Sequence, residues 1–106
     1  MEQLLIHTGA NGSNTYAIGG CDTINVYYGD AAAATFTAPT GAKFVLFSAT
    51  DNFYVRWEGS NAAIPSADVT NGTGSECSPV IRKVVDGETF SIIAAADVIV
   101  TMSWYS

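Results

Sequence analysis

Along much of this chain apolar and polar residues alternate with a period of two, as expected of strands with one face buried. In Val98-Ile99-Val100-Thr101-Met102-Ser103-Trp104-Tyr105, residues Val98, Val100, Met102 and Trp104 share one face. Ile99, Thr101, Ser103 and Tyr105 share the other. The run Phe53-Tyr54-Val55-Arg56-Trp57-Glu58 predicts a second such strand, with Phe53, Val55 and Trp57 inward and Tyr54, Arg56 and Glu58 outward. Residues 43–49 are almost continuously apolar, a pattern that predicts a central strand covered on both faces. Further strands are expected over 23–28, where Ile24, Val26 and Tyr28 alternate, and over 33–38, 80–85 and 89–93. His7 falls on an expected first strand. No window of ten or more residues carries the i, i+3, i+4, i+7 repeat of an amphipathic helix, and Ala31 to Ala34 are too few to nucleate one.

Turn chemistry separates these runs. Gly29-Asp30, Asp51-Asn52 and Asp86-Gly87 supply the residue types that reverse a chain, and the last two read as hairpin turns. Residues 59–79 break the rhythm with Asn61, Pro65, Asn71-Gly72, Thr73-Gly74 and Pro79. Only Ile64-Pro65 and Asp68-Val69 read as strand fragments there, and Pro65 restricts the first to an edge. Connections this long in small domains are commonly binding segments, so residues 60–78 are the first candidate interaction surface. The polar loop 8–14 is the second. Roughly seven to nine short strands without crossover helices describe an all-β fold. The expected architecture is an antiparallel two-layer β-sandwich, Greek-key or jelly-roll-like, with little or no helix. The 106 residues suit one domain, 1–106.

Charge narrows the functional classes. Ten acidic against four basic residues give a net charge of −6, the reverse of a nucleic-acid footprint. Lys43, Arg56, Arg82 and Lys83 form no local basic stripe. At 13% charged residues the chain has few charges for a solvent-facing surface, which suggests that part of that surface is covered by something else. The longest apolar runs fall short of the roughly 20 residues of a spanning helix, so no membrane partner is expected. The start, Met1-Glu2-Gln3-Leu4-Leu5-Ile6, lacks the basic and apolar regions of a secretory signal.

Candidate chemistry is sparse. Cys21 and Cys77 are far apart in sequence and the chain has one His, a poor set for zinc; the two thiols are expected to be small buried apolar groups, with a disulfide the alternative. No cofactor or metal is expected. Asp68, Asn71 and Glu76 crowd one Gly-rich loop as calcium ligands would, without EF-hand spacing. Gly72-Thr73-Gly74 lacks the ending of a phosphate loop, and Asn11-Gly12-Ser13 and Asn71-Gly72-Thr73 read as Asn-Gly turns. His7 has no nucleophile motif to serve, and most carboxylates sit in turns that explain them. Tyr27, Tyr28, Tyr54, Trp57, Trp104 and Tyr105 make a sugar-stacking platform only if several face outward together.

One extended pattern points to a family. The stretch Phe47-Ser48-Ala49-Thr50-Asp51-Asn52-Phe53-Tyr54-Val55-Arg56-Trp57, then Ala62-Ala63-Ile64-Pro65, Asp68-Val69-Thr70-Asn71-Gly72-Thr73-Gly74-Ser75-Glu76 and Ser78-Pro79-Val80-Ile81-Arg82, resembles small virion structural proteins of tailed bacteriophages, among them capsid cement and decoration proteins. The resemblance covers residues 44–105 and brings no catalytic motif. It implies a non-enzymatic protein made in the host cytoplasm, a homo-oligomer with trimers favoured, fixed to the capsid exterior and bridging subunits of the major capsid protein. On that reading Ile64, Pro65 and Val69 are apolar anchors beside Asp68, and Arg56 and Arg82 pair with acidic capsid groups. A carbohydrate- or receptor-binding module, fiber-like, is the alternative, and a small hydrolase a more distant one.

Overall fold

The structure, a computed structural model, describes residues 1–4, 6–8, 16–18, 20–58 and 60–106, the segments 6–8 and 16–18 by backbone alone. It is all-β. A small hairpin, β1 (Ile6–Thr8) with β2 (Tyr16–Ile18), forms a sheet of its own. The remaining strands are β3 (Ile24–Gly29), β4 (Ala34–Thr37), β5 (Phe44–Ala49), β6 (Tyr54–Trp57), β7 (Glu76–Cys77), β8 (Ile81–Lys83), β9 (Thr89–Ile93) and β10 (Val98–Tyr105). They form two four-stranded antiparallel sheets, β3-β10-β5-β8 and β4-β9-β6-β7, packed as a two-layer sandwich.

The pairing is nested. β3 pairs with β10, β4 with β9, β5 with β8 and β6 with β7, so the chain is one long hairpin whose tip is the connection after β6. Rolling that hairpin adds the pairs β10 with β5 and β9 with β6. This is the jelly roll, two interlocked Greek keys. It corrects one expectation. Asp51-Asn52 and Asp86-Gly87 do turn the chain, but β5 and β6, and likewise β8 and β9, lie in opposite sheets, so neither turn closes a hairpin. Gly87 has φ 78°, and Glu88 N donates to Val85 O at 3.0 Å. The local turn is as expected; its exit angle carries the chain across the sandwich.

The alternation in the sequence becomes the core. β10 buries Val98, Val100, Met102 and Trp104, β5 buries Val45 and Phe47, and β9 buries Phe90 and Ile92. β5 is central, as expected, but its second face is only half covered: Phe44 and Leu46 are half-buried. Phe90, with no exposed surface, is the aromatic hub. Its ring meets Phe36 at 5.7 Å and Trp57 at 5.1 Å within its own sheet, and Phe47 at 6.4 Å and Trp104 at 5.9 Å across the sandwich. Such tilted and edge-on pairs add to the burial of their area. At the far end Tyr27 stands edge-on to Phe36 at 4.7 Å, and its ring lies so close to Gly29 that a Cβ there would sit 2.9 Å from Tyr27 Cε2.

Removing the hub tests this packing. Phe90→Ala is expected to cost about 3–5 kcal/mol, a large share of the ~5–15 kcal/mol that holds a small domain folded. Urea denaturation checks it, with the half-buried Phe36→Ala expected to cost less.

Candidate functional site

The long connection between β6 and β7 is anchored to its own sheet rather than left free. Glu58 at its start and Ser78 just past β7 have positive φ, 64° and 47°, conformations that cost a non-glycine residue about 1–2 kcal/mol. Each is fixed to the sandwich: Glu58 N donates to Thr89 O at 2.9 Å, and Ser78 N to Phe53 O at 2.7 Å. Between them the chain folds back over the outer face of the β4-β9-β6-β7 sheet. There the Ala62 N–H donates to Ser91 Oγ, and both residues are buried. Ala63 N donates to Ser75 Oγ at 3.1 Å, joining the two limbs of the loop. Asn71 Oδ1 accepts from Thr73 N at 3.3 Å and Thr73 Oγ1 at 2.6 Å, the turn expected of Asn-Gly-Thr.

This anchoring leaves the loop crest in solvent. Ile64, Pro65, Asp68 and Val69 are all exposed. Pro65 and Val69 line an open groove of about 310 Å³ with Ala63, Ala67 and Gly74. Its wall is mainly apolar, with Thr73 and Ser75 adding polar groups. Neither Ile64-Pro65 nor Asp68-Val69 forms a strand; both lie in irregular chain. Arg56 projects from the outer face of β6, half-buried, beside its ladder partner Ser91.

Arg82 does not join this group. It lies on the edge strand β8, and its guanidinium reaches across to Glu76 on the opposite edge strand β7. Arg82 Nε donates to Glu76 Oε2 at 2.8 Å, and Nη2 stands 2.6 Å from the same oxygen. Glu76 Oε1 accepts from Trp57 Nε1 at 2.7 Å. One carboxylate thus links both sheets at the sandwich's open edge. The Arg82 hydrogen bonds, with the Trp57 indole in support, hold the Glu76 carboxyl below its ordinary range against a smaller effect of burial. Glu76 is therefore committed away from Asp68 and Asn71, and no group of three or more His, Cys, Asp or Glu that could hold a metal ion gathers among the described residues.

Other candidates also separate. Tyr28 and Tyr54 face outward from different sheets, while Trp104 and Tyr105 are buried and Trp57 packs on Phe90, so the six aromatics build no common platform. Cys21 is half-buried, its thiol donating to Thr23 O and Trp104 O at 3.3 Å, whereas Cys77 is exposed rather than buried, and both are free thiols. The His7 side chain and most of the loop 8–14 lie outside the described residues.

Two features escaped the sequence reading. The first is the outer face of the β3-β10-β5-β8 sheet, where Ile24, Val26 and Tyr28 are 51%, 56% and 75% exposed beside Ile99. Its signal was the absence of any charge from β3 and β10, which alternation alone does not weigh. The second is a cleft of about 520 Å³ at one end of that sheet, where Tyr28 and Ile99 stand with Asp30, Thr50 and Asp97. Compared with known proteins, the chain matches no family model, no curated sequence and no solved structure.

The Glu76 link predicts a defined acid response. Its lowered folded-state pKa stabilises the fold above the ordinary glutamate range, and that contribution is lost as the pH falls through the folded-state value. Glu76→Gln is expected to cost up to about 1 kcal/mol at neutral pH, since both partners are partly exposed. The gap to the wild type is expected to close on acidification in urea titrations run at a series of pH values.

Proposed function

We propose that this chain is a non-enzymatic structural protein of a tailed-phage virion, a cement protein that binds the assembled capsid through the crest of residues 60–75. The observation that carries the reading is the anchored loop. Ile64, Pro65 and Val69 stand exposed on a connection whose root is hydrogen-bonded to the sheet beneath. Apolar side chains held on a rigid base lose little entropy on docking, which favours a protein partner over solvent. The sequence resemblance over 44–105 supplies the virion context. The jelly roll is compatible with it but also serves lectins, so the fold by itself does not choose.

On this reading the mechanism is thermodynamic. The protein binds the assembled lattice and not its free subunits, so each occupied site stabilises the shell by about 2.7 kcal/mol at 100 times the dissociation constant. Asp68 beside Val69 and Arg56 beside the loop root contribute charge at the rim; Arg82 acts within the fold through Glu76. The carbohydrate-binding reading has one observation of its own, the exposed Tyr28 ring in a cleft with Asp30 and Asp97.

The test is co-sedimentation with empty capsid shells of the phage whose genome encodes the chain. Wild type is expected to pellet with the shells, and Ile64→Asp with Val69→Asp is expected to reduce binding at least ~100-fold, in the range of lost central contacts. Melting temperatures should be unchanged because both residues are exposed. Failure to bind shells, together with glycan binding that Tyr28→Ala removes, would overturn the cement reading in favour of the cleft.

A further inference from the structure

The four edge strands of the sandwich are not equally protected. β7 has two residues, and β8 has three, among them Arg82 and Lys83, shortly after the buried Pro79. β4 has four and stops just before Pro39. Short length, charge and proline are the ordinary means of keeping an edge from pairing with another chain. β3 has none of them. Its six residues, Ile24-Asn25-Val26-Tyr27-Tyr28-Gly29, carry no charge and no proline.

The hydrogen-bond phase of β3 can be read from its neighbour. Trp104 N donates to Thr23 O at 2.9 Å, and the β3–β10 register continues from there. Counting in twos, Asn25, Tyr27 and Gly29 bond to β10, while Ile24, Val26 and Tyr28 turn their N–H and C=O groups to the open side. The same three residues hold their side chains on the exposed outer face. One set of residues therefore offers both an apolar surface and a backbone edge that is unpaired among the described residues.

We propose that this edge is the interface between two copies of the chain, β3 pairing antiparallel with β3 of a second copy about a two-fold axis at Val26. That register sets Val26 against Val26 and Ile24 against Tyr28 of the other copy. Each of these is a pair whose backbone groups face the axis, so every outward N–H and C=O of the three residues finds a partner. On the outer face the valines meet each other and each isoleucine meets a tyrosine ring, both favourable cross-strand pairs. The two sheets become one eight-stranded sheet.

The phase and the charge both favour a second copy as the occupant. A two-fold contact must be self-complementary, and this strand satisfies that in hydrogen bonding and in side-chain matching at one register. In a chain of net charge −6 most surfaces repel their own copies, whereas β3 and β10 carry no charge. A three-fold arrangement, which the sequence resemblance implies, would instead need β3 to meet a different edge, and the other three are short. Dimerisation through β3 is independent of capsid binding through residues 60–75, which lie over the other sheet.

The test is sedimentation equilibrium on the full chain from ~1 to ~500 µM, with Cys77→Ser as background to remove the exposed thiol. A single strand pair is a small interface, so a monomer–dimer equilibrium with Kd in the micromolar range is expected. Val26→Lys places two like charges at the axis and is expected to weaken dimerisation at least 30-fold. Val26→Pro removes an N–H that β10 does not use and is expected to do the same. Circular dichroism melts at low concentration verify that both variants are folded. In the same background Val26→Cys should give a disulfide-linked dimer on mild oxidation, and Asn25→Cys, which faces the other side, should not. A strict monomer over the whole range, a trimer, or a dimer indifferent to both Val26 variants would overturn the proposal.

Discussion

Two sheets that face one another need a group both can close upon, and here it is the ring of Phe90. From β9 it touches rings carried by β4 and β6 in its own sheet and by β5 and β10 in the other. Five of the eight sandwich strands thus share one contact. The distance between the sheets, the inward phase of each strand and the direction in which the outer faces look all follow from how those rings pack. The close fit of Tyr27 over Gly29 carries the same aromatic layer to the β3 edge. Where the layer runs out, at the β7 and β8 edge, the protein changes chemistry and closes the gap with an indole, a carboxylate and a guanidinium. One buried group is left without a partner among the described residues, Trp104 Nε1, at a cost of about 1–3 kcal/mol.

The surfaces available for function are what this packing leaves over. Because β10 alternates and β3 keeps its phase, the residues not used inside appear outside in regular rows, uncharged on both strands and apolar along β3. Because the β4-β9-β6-β7 sheet carries Ser91 on its outer face, it can hold a loop by one hydroxyl, and the loop's own apolar residues are then raised into solvent. The proposed docking crest and the proposed two-fold edge therefore lie over different sheets of the sandwich and can act at once.

Strands were legible where burial imposes a long alternation. Val98–Tyr105 and Thr89–Ile93 fall where the pattern puts them, since a shift of one residue would expose Trp104 or Phe90. Partners were not legible. Asp51-Asn52 and Asp86-Gly87 have the same local chemistry whether the next strand returns beside the last or crosses to the other layer, and that choice is made by the twist and by contacts distant in sequence. β7 was missed because two residues cannot show a period. The partner of Arg82 was hidden for a related reason: a charge on a strand reads as outward-facing unless its counter-charge, in this case six residues back on another strand, is known to stand opposite. In the candidate site, the exposure of Ile64, Pro65, Asp68 and Val69 followed from their turn-rich surroundings, while the pinning of Ala62 by Ser91 depended on a tertiary contact that no local pattern encodes.

The nested pairing also sets an order in time. β3 is the first strand of the sandwich to leave the ribosome, and its ladder partner among the described residues, β10, is the last strand of the sandwich. At roughly 5–20 residues per second, several seconds separate the two. For that interval an uncharged strand has neither edge satisfied, and even β5 lacks its central neighbour. Within the sandwich every pairing is likewise long-range, the condition under which folding is slow. A nascent chain of this design has to be kept from its own copies until β10 is made, and the segment that most needs this is the same one that later offers itself as an interface.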